Sequence, residues 1–432
     1  MRILGAALAV VSLSSVGAAD APSQSQRPSV RPLSAATSGD RARPQTRAKA
    51  VAASFPTDTG NARFDLWLTA FRGRAMAQGI SADTLDRALA GVTYSADAIR
   101  RDANQAEFSK AIWEYLDSAV SDTRIRNGKS ALGQYRARLD AIEQRYGVRK
   151  EVVTAVWGLE SAYGSFRGSD PVVSSMATLA FDGRRGAFFE SQLIAVLRIL
   201  QAGDTTPDRM TGSWAGAMGH TQFMPTSYLD YAVDFDGDGR RDIWSDDPTD
   251  ALASTAAYLK AFGWVSGQPW GVEVRLPEGF DYAQADRKIE RSPAAWARLG
   301  VAGVTGGAVA NHGPASILLP AGGKGPAFMI FKNFEVLERY NTADAYVIGV
   351  GHLSDRIAGG PAIAARWPRE DRALTFAERK EMQRHLTAAG FSTQGVDGRI
   401  GPLTIAAIRN YQQANGLLPD GYASLSLLTR LR

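Results

Sequence analysis

The chain has 432 residues, of which 45% are hydrophobic and 22% are charged, a balance typical of a soluble globular protein with more than one domain. Its net charge of +5 favours an acidic partner, but no basic helix with interleaved aromatic residues supports nucleic-acid binding. It has no cysteine and only four dispersed histidines, which excludes disulfides and the histidine spacing of a zinc protease.

The N-terminus has the pattern of a secretory signal. The stretch MRILGAALAVVSLSSVGAAD begins with one cation, Arg2, continues as a short apolar run and ends in small residues. This pattern predicts a signal peptide over residues 1–19, cleaved near Ala18 or Ala19. An uncleaved interfacial anchor is the alternative. Because the chain has no cysteine to carry a lipid, we expect export as a soluble protein without a membrane anchor.

The next segment, residues 20–60, is rich in proline, serine, alanine, arginine and glutamine and has almost no large apolar residues. Such a composition cannot bury enough apolar surface to repay the entropy of ordering. It therefore predicts a flexible basic linker. Its six cations could attract a polyanion loosely, and a solvated spacer is the alternative.

Helical patterns dominate the chain from about Phe64 onward. A first helix ends at Gly79, and a second begins after Ser81 as its N-cap and ends at Gly91. Further helices are predicted over 105–120, 130–146, 149–163, 186–202 and 249–262. Strand patterns occur in WGVEVRLP (270–277) and AFMIFKN (327–333). The predicted fold class is mainly α (α+β), with a small β element.

A second change in composition occurs at ARWPREDRALT, where proline and clustered charges replace apolar periodicity. We place a linker at 363–373, between a body over 61–362 and a C-terminal unit over 374–432. That unit reads as a helix, a glycine-rich turn, a second helix from Pro402 and a short final helix. Its size is near the lower limit for an independent fold.

The stretch VVTAVWGLESAYG (152–164) places a carboxylate on an apolar helical face. Glu160 lies three residues after Trp157 and shares its face with that indole and two valines. Burial disfavours the charged form and raises the pKa, so Glu160 could act as a general acid near neutral pH. The alternative is a structural ion pair with an arginine such as Arg184 or Arg185.

Together with this stretch, GSWAGAMGHTQFMPTSYLDYAVDFDGDGRRDIW (212–244) and GHLSDRIAGG near residue 360 resemble the lytic murein transglycosylase B family. The resemblance covers roughly residues 60–362. The C-terminal block resembles a peptidoglycan-binding module through DGRIGPLT, IRNYQ and GLLPDG. The resemblance implies a lysozyme-like catalytic domain, a three-helix peptidoglycan-binding domain and a periplasmic location. It also implies peptidoglycan glycan strands as the partner; we expect a monomer.

The resemblance implies that Glu160 is the sole acid/base of a lyase acting on peptidoglycan. It would protonate the glycosidic oxygen between N-acetylmuramic acid and N-acetylglucosamine, and then take a proton from the muramyl 6-hydroxyl as a 1,6-anhydro ring closes. Ordinary glycosidases need two carboxylates. A lysozyme-type hydrolase with a second acid, and a non-catalytic wall-binding protein, are the alternatives.

The resemblance also implies roles for other residues. Ser213 would hydrogen-bond the catalytic carboxyl, with a helix N-cap as the alternative. Gln222 would contact polar groups of the sugar, while the arginine pair at 184–185 would bind carboxylates of the muramyl group or peptide, a solvated pair being the alternative. His220 departs from the usual family pattern and could alter groove contacts. The implied substrate-binding set is Tyr115, Arg184, Arg185, Gln222, Tyr258, Tyr340, Asn341 and Tyr346.

The segment DFDGDGRRD has the spacing of an EF-hand calcium loop. The twelfth position is Ser245, not the glutamate that the pattern requires, and the resemblance implies that Asp250 completes the shell, with Asp246 or Asp247 as alternatives. An ion-free acidic turn is the other interpretation. We expect no cofactor for catalysis and a structural Ca²⁺ bound by Asp234, Asp236, Asp238, the carbonyl of Arg240, and Asp250.

Overall fold

The computed structural model describes residues 58–103 and 110–432. The predicted signal peptide and nearly all of the predicted basic linker lie outside the described residues. No helix within these two ranges is both long and apolar enough to cross a membrane.

Most of the described chain is helical, which confirms the predicted fold class. The helices are α1 (Ala62–Ala77), α2 (Ala82–Leu89), α3 (Ala96–Ala103), α4 (Ile112–Ala119), α5 (Asp122–Gln134), α6 (Arg136–Tyr146), α7 (Lys150–Ser161), α8 (Val172–Asp182), α9 (Gly186–Ala202), α10 (Pro225–Tyr231), α11 (Thr249–Ala261), α12 (Pro293–Arg298), α13 (Lys332–Glu338), α14 (Asp344–Ile357), α15 (Phe376–Ala388), α16 (Pro402–Ala414) and α17 (Leu425–Leu431).

The strands form two small antiparallel sheets. One pairs β1 (Asp170–Pro171) with β2 (Thr211–Gly212). The other has the order β4-β3-β6-β5, and its members are β3 (Gly271–Arg275), β4 (Ala302–Gly303), β5 (Ser316–Leu318) and β6 (Ala327–Ile330). Both predicted strand segments therefore lie at the centre of one sheet. The second segment ends earlier than predicted, because its last residues begin α13.

Two helical predictions need correction. The segment 130–146 is not one helix, because Tyr135 leaves helical geometry between α5 and α6 (φ −104°, ψ 20°). Its ring packs edge-on against Trp157, with 5.5 Å between ring centroids, so a tertiary contact interrupts the local periodicity. Helices α8 and α14 were not predicted. Both are buried along most of their length, and an element buried on several faces has little amphipathic pattern to detect.

The catalytic candidate lies on one of the deeply buried helices of the body. Helix α7 buries nine of its 12 residues, so apolar contacts fix it on nearly every side. Helix α14 packs alongside it, and α5, α6 and α11 also border it. These helices belong to one large apolar core, which also includes Phe328 and Ile330 of β6. Other residues of the four-stranded sheet and Trp296 of α12 form a second core. The last turn of α7 is thereby held rigidly where it emerges from the core.

The C-terminal unit has the predicted sequence of helices and its own apolar core. Thr375 and Glu378 form a capping box at the start of α15, which marks where the helix begins. The unit also contacts the body: the Asp420 carboxylate accepts a hydrogen bond from the Gly323 N–H (2.9 Å). The domain boundaries at 61–362, 363–373 and 374–432 stay predictions.

Candidate active site

Glu160 occupies the last turn of α7 and is only partly accessible to solvent. Its Oε1 accepts a hydrogen bond from the Tyr346 hydroxyl of α14 (2.5 Å). Burial raises the pKa of the Glu160 carboxyl from its ordinary 4.5 to about 7, against the opposing effect of the Tyr346 hydrogen bond. The protonated and ionised forms are therefore both populated near neutral pH.

The chain turns sharply after Glu160. Ala162, Tyr163 and Gly164 all have positive φ values, of 49°, 60° and 84°. This turn folds the Tyr163 ring back over α7, where its hydroxyl donates to the Arg124 carbonyl (2.8 Å). A Cβ at Gly158 would lie 2.6 Å from the Tyr163 ring. The glycine in the helix is thus required by close packing.

Three of the predicted tyrosines surround the carboxyl. Tyr115 comes from α4, Tyr340 from the segment before α14, and Tyr346 from α14 itself. For each of them, burial first and the Glu160 charge second raise the pKa of the phenol. The hydroxyls consequently stay protonated: that of Tyr346 donates to Glu160, and that of Tyr340 donates to the Thr221 carbonyl (2.7 Å). The Tyr340 and Tyr346 rings lie nearly parallel, with 6.4 Å between centroids.

Tyr258 and Asn341 lie in the same region but have other partners. Tyr258 is buried, its hydroxyl donates to the Arg339 carbonyl (2.5 Å), and its ring packs edge-on against Tyr340. The structure thus places Tyr258 behind Tyr340, as a support for that ring. The Asn341 side-chain oxygen accepts from the Ala343 N–H (3.0 Å), next to the start of α14, while the side chain stays partly exposed.

Ser213 and Gln222 lie in one loop. The Ser213 hydroxyl accepts from the Ala217 N–H (3.1 Å), and within the described ranges it makes no hydrogen bond to Glu160. It caps a tight turn, not a helix. Gln222 has a left-handed backbone (φ 55°), and its side-chain nitrogen donates to the carbonyls of Arg167 (3.0 Å) and Gly219 (2.9 Å). Its side-chain oxygen is left to accept from a ligand.

The arginine pair does not bind Glu160, so that alternative for the glutamate is wrong. Arg184 and Arg185 both hydrogen-bond the carboxylate of Asp102, which is buried. Two guanidinium groups on one carboxylate leave a net positive charge. The Arg184 side chain is 49% exposed, so it can still meet an anion, whereas Arg185 is held over the Phe189 ring.

No second acid accompanies Glu160. Among the residues that the structure describes, no carboxylate hydrogen-bonds to it and no charged side chain contributes to the shift of its pKa. Its surroundings are apolar and phenolic. In the described part of the chain, no acid is thus coupled to Glu160 through a hydrogen bond or through an effect on its pKa.

The acidic loop brings three carboxylates together. Oxygen atoms of Asp234, Asp236 and Asp250 lie within 4.8 Å of one another, and none of the three forms a salt bridge within the described ranges. Asp250 is buried, and burial together with the neighbouring Asp236 raises its pKa to about 6. Converging oxygen donors without a counter-cation fit a hard divalent cation such as Ca²⁺.

The ion pairs of this loop distinguish the three candidates for its last acid. Asp246 pairs with Arg167 and Asp247 with Arg138, which leaves Asp250 as the third converging acid. Asp238, predicted as a ligand, does not join the converging set. Its exposed carboxylate instead accepts from the N–H of Arg240 (2.8 Å), in a local turn.

Sequence reasoning missed Tyr163 and Arg167, and it assigned His220 only to the groove. His220 is buried and does not line the groove, contrary to what its departure from the family pattern suggested. Arg167 donates to the carbonyls of Trp244 (2.8 Å) and Ser245 (2.6 Å). These roles have no local sequence signal, because the carbonyl partners of Arg167 lie more than seventy residues away and the partner of the Tyr163 hydroxyl lies 39 residues away.

The comparisons with known proteins match this geometry. Residues 63–355 match the family described as the transglycosylase SLT domain, and residues 377–431 match a peptidoglycan binding domain. The chain belongs to this transglycosylase family. Its fold is similar to the crystal structure of SltB3 from Pseudomonas aeruginosa in complex with NAG-anhNAM-pentapeptide, at 49% identity and a TM-score of 0.84. That similarity covers 86% of this chain and all of the other.

Two Escherichia coli relatives are more distant. The structure of the lytic transglycosylase Slt35 in complex with calcium is 30% identical, with a TM-score of 0.58, over 69% of this chain and 93% of the other. Membrane-bound lytic murein transglycosylase B is 34% identical over 252 residues, which is 56% of this chain and 66% of that protein. The match therefore spans just under two thirds of that relative's length.

Proposed function

We propose that this protein is a lytic transglycosylase. It cleaves the β-1,4 bond between N-acetylmuramic acid and N-acetylglucosamine in peptidoglycan and leaves 1,6-anhydro-muramyl ends. The observation that carries this proposal is the isolation of Glu160: one carboxyl with a pKa of about 7, among phenols, without a second acid in the described ranges. SltB3 in complex with NAG-anhNAM-pentapeptide supports the anhydro product.

The chemistry follows from the two protonation states of one group. Protonated Glu160 gives its proton to the glycosidic oxygen as the bond from the muramyl C1 breaks, and N-acetylglucosamine leaves as an alcohol. The resulting carboxylate takes the proton from the muramyl 6-hydroxyl while that oxygen attacks C1. Glu160 is then protonated again, so the cycle closes without water or a cofactor. A group with a pKa of about 7 suits both steps at neutral pH.

The tyrosines and the Gln222 loop form the saccharide groove in this proposal. Tyr340 and Tyr346 offer nearly parallel rings, and flat aromatic faces of this kind suit the packing of sugar rings. The free side-chain oxygen of Gln222 accepts from a sugar amide or hydroxyl. Arg184 faces the carboxylates of the muramyl or peptide part. Ser213 shapes the loop, and the remaining groove and support residues are Tyr115, Arg185, Tyr258 and Asn341.

The C-terminal unit holds the enzyme on its insoluble substrate and raises the local concentration of glycan strands. Its match to a peptidoglycan binding domain supports this role. The substrate and the signal-like N-terminus together support a periplasmic location, reached through cleavage of residues 1–19.

The acidic loop binds a structural Ca²⁺ through Asp234, Asp236 and Asp250, and Slt35 in complex with calcium supports this. In calorimetry, calcium should bind the wild type and raise its thermal midpoint. The Asp250→Asn variant should lose most of both effects. An Asp247→Asn control, which removes an acid paired with Arg138 outside the converging set, should keep them. If the wild type did not bind calcium, the proposed calcium site would be wrong.

The test of the proposed reaction is product analysis. Purified sacculi are digested with the wild type and with Glu160→Gln, and the fragments are identified by mass spectrometry. Anhydromuropeptides from the wild type and none from Glu160→Gln are expected. Glu151→Gln, in the first turn of the same helix, is the matched control and should retain activity.

Two outcomes would overturn the proposal. Fragments with reducing ends would indicate a hydrolase of the lysozyme kind. Binding of sacculi without any cleavage would indicate a non-catalytic wall-binding protein.

A further inference from the structure

A buried histidine joins the helix of Glu160 to the loop of Gln222. His220 is 3% exposed and lies two residues before Gln222. Its Nδ1 lies 3.1 Å from the indole Nε1 of Trp157, one helical turn before Glu160. Its backbone carbonyl accepts from the hydroxyl of Ser161, the residue directly after Glu160 (2.5 Å). The last turn of α7 is therefore bonded to His220 twice, through Trp157 before Glu160 and through Ser161 after it.

The hydrogen bonds define the tautomer of His220. The Trp157 indole N–H can only donate, so Nδ1 must be the acceptor and carries no proton. Nε2 then carries the hydrogen and donates to the Ser245 carbonyl (2.7 Å). Arg167 also approaches Nε2, but a guanidinium cannot accept, and it donates to the Ser245 carbonyl instead. The ring is a neutral bridge between α7 and the segment at Ser245.

The chain makes room for this ring. Gly164, in the turn after Glu160, has a φ of 84°, and a Cβ there would lie 2.6 Å from Nδ1 of His220. The indole of Trp157 packs edge-on against the imidazole, with 5.7 Å between centroids. The backbone N–H of His220 donates to the Ile243 carbonyl (3.1 Å). The position of the ring is thus fixed from the α7 side and from the loop side.

We propose that His220 is a positioning residue for the reaction: its Nδ1, through the Trp157 N–H, sets where Glu160 lies relative to the sugar held by the Gln222 loop. The inference rests on the proposed function. A catalytic group displaced by about 1 Å can lose about 100-fold in rate, so a hydrogen bond one turn away is sufficient to matter. His220 itself touches no reacting atom.

Two substitutions separate the two ring nitrogens. Asparagine places an oxygen near Nδ1 and can still accept from Trp157, whereas glutamine reaches the position of Nε2 and can still donate to Ser245. We expect His220→Asn to keep kcat within about threefold. We expect His220→Gln to lower kcat by about tenfold or more, with KM nearly unchanged. His312→Asn and His312→Gln, in the region of the four-stranded sheet, are the matched controls and should change neither.

The assay uses a soluble muramyl tetrasaccharide, with kcat and KM normalised to folded enzyme and products separated into anhydro and reducing ends. His220→Gln should also raise the share of reducing ends, because a displaced carboxyl admits water. Trp157→Phe removes the same hydrogen bond from the other side. In a double-mutant cycle its effect on kcat should not add to that of His220→Gln.

The outcomes distinguish the two proposals. A wild type that releases no anhydro product would overturn the proposed function. If the wild type does release anhydro product, two results would overturn the role of Nδ1. One is a lower kcat for His220→Asn than for His220→Gln, and the other is a purely additive effect of Trp157→Phe and His220→Gln on kcat. If His220→Asn and His220→Gln lost kcat equally, and only in proportion to their fall in thermal midpoint, His220 would have a structural role alone.

Discussion

Replacing Glu160 by Gln tests the desolvation of this carboxyl independently of catalysis. Gln is neutral and nearly isosteric, and its side-chain oxygen can still accept from the Tyr346 hydroxyl. In the wild type the pKa rises from 4.5 to about 7 on folding, so the folded state binds this proton more tightly than the unfolded state. The stability this provides is fully present below the unfolded pKa and is lost as the pH rises through the folded one.

The magnitude follows from the size of that shift. Each unit of pKa difference corresponds to about 1.4 kcal/mol, so ionised Glu160 costs the folded state about 3 kcal/mol above neutral pH. The Glu160→Gln variant should match the wild type in free energy of unfolding at about pH 4. It should exceed the wild type by about 3 kcal/mol at about pH 8, with most of the change between the two pKa values.

Urea unfolding monitored by tryptophan fluorescence, repeated at several pH values, measures this difference. Glu151→Gln on the same helix is the matched control: Glu151 pairs with Arg149, so its replacement should give no gain at high pH. A Glu160→Gln variant whose advantage is the same at every pH would refute the reasoning. So would a variant that is less stable than the wild type at pH 8, since the carboxylate would then be solvated or paired with a cation.

Three further predictions concern the surroundings of the site. In Tyr346→Phe the alkaline limb of the pH–rate profile should move to higher pH, because the lost hydrogen bond had lowered the pKa of the catalytic carboxyl; an unmoved limb would contradict this. Gly158→Ala should lower the free energy of unfolding by about 1–3 kcal/mol, because the added methyl group meets the Tyr163 ring. The control Gly73→Ala has open space around it and should raise the free energy of unfolding by about 0.5–1 kcal/mol. Urea unfolding measures both. If both variants were less stable than the wild type, contact with the Tyr163 ring would not explain the loss at position 158. Removal of residues 374–432 should weaken binding to sacculi in a pelleting assay more than turnover of soluble oligosaccharides, and equal losses would argue against tethering.

The sequence was informative where one local pattern carries the information. The apolar face of α7 identified Glu160 as a carboxylate held in a desolvated position, and in the structure burial raises its pKa as expected. The EF-hand spacing identified the acidic loop. It could not select Asp250 over its neighbours, because that choice depends on which acids are already paired with Arg167 and Arg138.

The rest of the site depends on long-range packing. Tyr346 lies 186 residues after Glu160 on a helix whose buried pattern gave no signal. The partner of the arginine pair, Asp102, lies more than eighty residues before it. The bridge through His220 joins segments about sixty residues apart. In each case the residues could be read from the sequence, but which of them pair depends on which buried helices and loops are neighbours in the fold.

The neutrality of the groove explains how one carboxyl can serve both steps. An arginine beside Glu160 would lower its pKa and remove the acid form needed to protonate the leaving oxygen. A second carboxylate would raise the pKa further and would also offer a base for water. Phenols bring no charge and no base: the Tyr346 hydrogen bond lowers the pKa of Glu160 by less than burial raises it. Tyr346 itself stays uncharged, because burial and the Glu160 charge raise its own pKa. A ring of tyrosines thus keeps the carboxyl near the midpoint of its titration at neutral pH, where it can both give and take the same proton.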